Sequence, residues 1–364
     1  MHATPRKYGT TSEMARELRR AIADGTYSRG SYLPPLRRLA ETSGVAYLTA
    51  SRALKTLERE GLVAAEPRKG YRVLRSGARP GSPRALFGLL SSSDPADATV
   101  WNETHKALLT GFQCAAGRHG LGILAMRADR QSPRDLAQAI LEAELAGVAV
   151  DSDRPDTIEA LRAAEIPVVL VDAFTYDIAV DGVVQDNFRG GFLAGEYLAK
   201  RGHREAAWFG LSLETIHSQE RLGGAMIGLR SGGAHLAEPF DVRVPEIASG
   251  IPTDEAMREA RKFLAARGRP RAILALWQSC ANALLTAAAD LRLNPGKDFD
   301  LITWGIEENR QGVYGQRFGH GHIPPMVCWS AECMAEMALA RLVAPPGAAG
   351  RVPVRISVPM RLWE

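Results

Sequence analysis

The residues best equipped for recognition chemistry lie near the amino end: Arg37, then Tyr47, Thr49, Ser51, Arg52, Lys55 and Arg59, then Arg68, Lys69 and Gly70. Guanidinium and ammonium groups bind phosphate oxygens, and hydroxyls reach base edges, so this set has the chemistry of a nucleic-acid contact. It can act only if a helix shows the middle group on one face and a hairpin holds the last group at its tip. The flanking residues supply both. Pro35 suits the first turn of a helix, Leu36, Leu39 and Ala40 share a face, and Gly44 permits a tight turn that Val45 plugs. In the next segment Ala50, Ala53, Leu54 and Leu57 recur at spacings of three and four, leaving the polar group on the other side. Gly61 stops that helix. Leu62–Ala65 and Gly70–Leu74 then read as two short strands joined through Glu66, Pro67, Arg68 and Lys69, a cationic tip.

A helix over about Ser12 to Asp24 precedes them, with Met14, Leu18 and Ile22 one turn apart and Thr10 and Glu13 placed as a capping box. The charge follows the same division. Residues 1–84 hold 17 Lys or Arg against 7 Asp or Glu, whereas the remainder holds 28 against 34. A cationic excess confined to one module is the electrostatic footprint of phosphate binding.

The order helix, L-P-x-x-R-x-L-A, G-V, second helix, E-G-L-V and hairpin resembles the GntR family of bacterial repressors across roughly residues 8 to 75. That resemblance implies a winged helix-turn-helix in which Arg37 and Thr49 contact DNA, with Arg52 nearby and Lys69-Gly70 at the wing. Ala46-Tyr47 and Ser51 depart from the family's commonest residues, so guanine reading by arginine from those sites is lost. Arg52 has a second reading, as a buttress paired with Glu41 or another acid.

With 364 residues in all, some 280 follow the first 85, enough for two lobes. Ser76–Arg84, rich in Gly, Pro and Ser without apolar periodicity, reads as a linker, giving expected domains at 1–75 and 85–364. From Ala85 short apolar runs alternate with amphipathic stretches, and after Val183-Val184 the rhythm restarts. Strand then helix, twice over, predicts an α/β fold of two parallel sheets with a cleft between them, the chain crossing near 186 and again near 305–330.

The runs Pro167-Val168-Val169-Leu170-Val171-Asp172, Val183-Val184-Gln185-Asp186-Asn187, Gly190-Gly191 with Ala194, and Glu220-Arg221-Leu222 with Gly224 look like the effector domain of the LacI family, a fold shared with periplasmic sugar-binding proteins. Together the halves are similar to chimeric GntR/LacI regulators of the arabinose-repressor type. The resemblance implies that Asp186 and Arg221 face a ligand in the cleft, and His217 is grouped with them. Trp101 and Trp277 could stack on a sugar ring or pack the lobes. Where the family places Asn-Asp this chain has Trp277-Gln278, and Glu307 stands where Asp is common. Those changes point to a different effector, a looser sugar site, or a domain that only pairs copies of the chain.

An enzyme reading finds no G-x-S-x-G, Walker loop, H-E-x-x-H or C-x-x-C. His320 and His322 lack a third ligand, so no metal or cofactor is expected. Cys114, Cys280, Cys328 and Cys333 read as small buried residues. No apolar run approaches a membrane span and the start lacks an apolar signal core, so a cytoplasmic protein is expected. The resulting expectation is a homodimeric transcriptional regulator, a repressor by default, binding double-stranded operator DNA and controlled by a small-molecule effector, a carbohydrate by preference.

Overall fold

The computed structural model describes residues 10–23, 26–27, 30–67, 69–74, 85–91, 103–151, 154–173, 175, 177–211, 216–244, 254–310, 323–343 and 352–364. The chain divides into two compact units, the first comprising residues 1–85 with 120–122 and the second the remainder. The expected linker and Arg68, Trp101, His320 and His322 lie outside the described residues.

In the first unit α1 (Thr11–Ala23), α2 (Leu36–Ser43) and α3 (Tyr47–Arg59) pack with an antiparallel hairpin of β1 (Val63–Glu66) and β2 (Gly70–Val73). The capping box at α1 is reciprocal: Glu13 N–H donates to Thr10 Oγ1 at 3.2 Å and Thr10 N–H to Glu13 Oε2 at 2.9 Å. That satisfies two amides that a helix start would otherwise leave bare. Met14, Leu18, Ile22, Leu39, Leu54, Leu57, Val63 and Val73 form one buried core, with Val45 packed against it. Gly44 ends α2 at φ +65°, and the Val45 amide then donates back to Ala40 O at 3.0 Å, closing the turn.

The second unit has two six-stranded sheets. The first contains β3 (Leu86–Ser91), β4 (Gly122–Arg127), β5 (Val148–Asp151), β6 (Val168–Val171), β7 (Asp181–Gln185) and β13 (Arg355–Val358), in the order β13-β7-β6-β5-β3-β4. The second contains β8 (Glu205–Leu211), β9 (His235–Val244), β10 (Ala272–Ala275), β11 (Asp300–Ile306), β12 (Met326–Trp329) and β14 (Arg361–Trp363), in the order β14-β12-β11-β10-β8-β9. Pairing within the second sheet is parallel except for β12 with β14. Near-continuous apolar runs such as Ile273-Leu274-Ala275 are buried throughout, as strands covered on both faces require.

The covering helices are α4 (Glu103–Arg118), α5 (Pro133–Glu142), α6 (Pro155–Ala163), α7 (Asn187–Lys200), α8 (Ile216–Ser231), α9 (Asp254–Ala265), α10 (Trp277–Asp290) and α11 (Ala331–Val343). The chain passes between sheets after Gln185, after Trp329 and between β13 and β14. The stretch from β12 onward, including α11 and the β13–β14 return, was not anticipated as elements. Two details bear on the sequence reading. α10 begins at Trp277, so Trp277 and Gln278, expected to line the cleft, occupy its first turn. Cys114 is exposed and Cys333 half-buried, because both lie on helix faces turned from the core; only Cys280 and Cys328 are buried.

Candidate functional site

On the winged unit, the recognition residues follow from the amphipathic phase of α3. Ala50, Ala53, Leu54 and Leu57 are buried, which turns Tyr47, Leu48, Arg52 and Lys55 outward, with Thr49 and Ser51 half-buried beside them. Arg37 is exposed on α2. Among the described residues no ion pair joins Arg52 to Glu41, which leaves its guanidinium with the outward group. Leu48, 59% exposed beside Tyr47, was missed by sequence reading; an apolar side chain so displayed can touch a thymine methyl.

At the hairpin tip Gly70 sits at φ +98°, a conformation that favours glycine. Lys69 is 69% exposed and lies 4.0 Å from Glu66. Glu66 also accepts from Tyr32 OH at 2.6 Å and from Arg72, and these bonds hold its carboxyl below the usual range. Part of the wing's cationic charge is therefore neutralised within the hairpin, and among the described residues of its tip Lys69 faces outward.

In the second unit a cluster of polar side chains gathers at the carboxyl ends of β5, β6 and β7, the edge at which open α/β sheets place their ligands. Asp151 ends β5 and pairs with His105 of α4 at 2.8 Å. Burial alone would depress the His105 ring, but the hydrogen bond and charge of Asp151 outweigh it and the pKa rises. Asp172 follows β6 at φ +49°. Gln185, the last residue of β7, donates from Nε2 to Asp172 Oδ1 at 2.8 Å. His217 Nε2 lies 4.0 Å from the same oxygen. Burial pushes the Asp172 carboxyl up and the His217 ring down, both toward their neutral forms.

Arg221, on α8, is wholly buried. Its Nε donates to Asn187 Oδ1 and its Nη2 to Gln185 Oε1, each at 2.7 Å. Gln185 ends a strand of the first sheet, whereas α8 packs on the second, so Arg221 ties the lobes together. The Trp277 ring lies 4.0 Å from its guanidinium carbon and the Trp304 ring 5.6 Å. Trp277 holds φ +69°, a left-handed strain of about 1–3 kcal/mol that persists where surrounding structure enforces it and that clusters at functional sites. Burial pushes the Arg221 pKa down to about 10, which still leaves it cationic at neutral pH.

The close approach of α7 and α8 brings Asn187 to Arg221. A Cβ on Gly191 would sit 2.0 Å from Arg221 O, and one on Gly224 would sit 2.0 Å from Phe188 O. Only glycines allow this crossing.

Of the residues expected in the cleft, Arg221, Trp277 and His217 converge there with Asp172. Asp186 caps α7, its Oδ1 accepting from Arg189 N–H at 3.1 Å. Its neighbours Gln185 and Asn187, together with Asp172, supply the polar contacts that sequence reading did not single out. Gln278 is half-buried on the first turn of α10. Glu307 opens a 3-10 turn and faces Arg361 of β14 at 3.5 Å, an ion pair within its own lobe.

Residues 10–73 match the family described as bacterial regulatory proteins, gntR family, and residues 98–292 match periplasmic binding proteins and sugar binding domain of LacI family. An HTH-type transcriptional repressor PurR of Klebsiella pneumoniae strain 342 is 28% identical over 171 residues, covering 45% of this chain and 47% of that protein. The chain thus spans about half the length of the curated relatives it matches. A PurR of Escherichia coli O1:K1 / APEC is 29% identical over 137 residues, 37% of each chain. Among solved structures, a transcriptional regulator CelR–cellobiose complex superposes with TM-score 0.62 at 17% identity, covering 91% of this chain and 99% of that one. A LacI family transcriptional regulator from Enterococcus faecium with bound ribose gives TM-score 0.60 at 15% identity, covering 77% and 97%. At such identities the superpositions speak for the fold. This chain belongs to the family of periplasmic binding proteins and LacI-type sugar-binding domains, and it carries a gntR-type winged module ahead of that domain.

Proposed function

We propose that the protein is a transcriptional regulator, a repressor by default, whose winged unit binds operator DNA and whose two-lobed unit binds a small molecule. The observation that carries this reading is Arg221, a buried cation reaching from one lobe to Gln185 of the other, in a chain whose other unit displays Arg37, Tyr47, Thr49, Arg52 and Lys69. A ligand that prefers one arrangement of the lobes shifts their equilibrium only by its differential affinity, and the same coupling changes the affinity for DNA. Pairing of two chains, each presenting one winged unit, would fit a near-palindromic site. No catalytic step is assigned to the molecule.

The experiment is a duplex-binding titration with the full chain, repeated across salt and with pentoses, hexoses, uronates and nucleosides added. Affinity is expected to fall with salt at a slope of about −0.9 per phosphate neutralised. Arg37→Ala is expected to weaken duplex binding by about 1–3 kcal/mol, whereas Arg221→Ala is expected to abolish the ligand response. Arg221→Ala lowering duplex affinity as much as Arg37→Ala would overturn the division of labour.

A further inference from the structure

We propose that the ligand of this cleft carries an oxyanion, a carboxylate or a phosphate, whose oxygens meet Arg221 Nη1 and the N–H groups around it. The inference rests on the small-molecule reading above and names the chemistry of that molecule.

Arg221 is fully buried, and among the described residues no carboxylate lies within ion-pair distance of it. Its two partners, Gln185 Oε1 and Asn187 Oδ1, are neutral amide oxygens. A buried cation held only by neutral acceptors is under-compensated, and an incoming anion is what completes it. Asp172 and Glu220 act on it only at longer range, and both are engaged, Asp172 by Gln185 and Glu220 by Arg355. Burial also favours the protonated form of Asp172.

Beside His217 Nε2, whose donor or acceptor role follows its tautomer, the unsatisfied groups around Arg221 are N–H groups. Arg221 Nη1, Asn187 Nδ2, Trp277 Nε1 and Trp304 Nε1 are all buried without a partner among the described residues. Because Asn187 Oδ1 is already accepting from Arg221 Nε, its free end is the donating amide. All four are donors. A neutral sugar brings hydroxyls that need acceptors as well as donors, whereas a carboxylate or phosphate brings acceptors and charge together.

Direction of approach agrees. The Trp277 ring covers a face of the guanidinium, and Nε and Nη2 are taken, so the edge carrying Nη1 is where a ligand can bond in the plane. In-plane contact is the geometry in which arginine binds oxyanions. Trp277 covers this face from a left-handed backbone, a strain that the surrounding structure must hold.

All six tryptophans lie at or beyond residue 101, so tryptophan fluorescence of the full chain, excited selectively over tyrosine, reports the second unit alone. The probes are acetate and inorganic phosphate against chloride at matched ionic strength, then glucose paired with gluconate and with glucose 6-phosphate. A saturable fluorescence change is expected with an oxyanion, at least tenfold tighter for an acidic sugar than for glucose. Arg221→Met is expected to weaken that binding at least tenfold while unfolding at the same or a higher temperature in chloride. Should Arg221→Met not fold, Arg221→Lys keeps the charge but loses the fork and is expected to weaken oxyanion binding severalfold. Gluconate binding without phosphate assigns a carboxylate; the reverse assigns a phosphate ester.

Glucose binding as tightly as its acids would overturn the oxyanion while leaving a small-molecule sensor standing. An oxyanion response unchanged in both Arg221 variants would overturn it too, as would no response to any probe. The sensor reading is decided separately, by ligand-dependent release of the duplex.

Discussion

Asp172 sits in a site that disfavours its charge, and the sign of the resulting pH dependence follows. Burial raises its folded-state pKa above the unfolded value. The folded chain therefore binds the extra proton, and the stabilisation is full below the ordinary carboxylate range and lost as pH rises through the folded value. Asp172→Asn keeps an oxygen for Gln185 Nε2 and removes the titration. The variant is expected to unfold at a higher temperature than the parent at about pH 8, with the gain gone below about pH 4, the ordinary carboxylate value. Fluorescence melts across that range check it. A gain of equal size at both ends would show that the carboxyl is not titrating. Asp186, two residues before Phe188, shows the opposite economy: its charge is spent on the first turn of α7 and it leaves the guanidinium to its neighbours.

At the level of elements, the crossing of α7 over α8 decides whether the site exists. Gly224 lets the Phe188 carbonyl approach so closely that an added methyl would sit 2.0 Å from it. Adjacent Gly223 meets nothing nearer than Phe188 Cε2 at 4.0 Å. Gly224→Ala must push the helices apart and is expected to destabilise by about 1–3 kcal/mol or more through overpacking. Gly223→Ala is expected to stabilise by up to about 1 kcal/mol through helix propensity alone. Urea midpoints of the pair test this, and equal effects would refute the tight crossing. Gly224→Ala is also expected to weaken any ligand bound through Arg221, since α8 carries that residue away from Asn187.

For the whole molecule, the two units are each built around their own core, and their probes separate cleanly. Leu54 is fully buried in the winged core, where truncation to Ala costs about 2–5 kcal/mol. A unit so small has little stability in reserve. Leu54→Ala is expected to melt the winged unit early by far-UV circular dichroism and to lose duplex binding, while the tryptophan transition stays in place. A matching shift of the tryptophan transition would mean that the units unfold as one.

Local rules carried much of this protein. The period of Ala50, Ala53, Leu54 and Leu57, the Thr10–Glu13 cap, the Gly44 turn and the apolar strands were legible because each depends on neighbours a few residues away. Arg221 was legible through the resemblance of its surrounding run. The tertiary structure alone decided which polar residues meet it. Along Gln185-Asp186-Asn187 the chain leaves a strand and enters a helix, so the two outer residues turn toward Arg221 while the middle one caps. Residue type does not reveal that phase. Nor does it reveal that Trp277, fifty-six positions from Arg221 in sequence, lies over that buried guanidinium: such a contact depends on how two sheets and a glycine crossing come together.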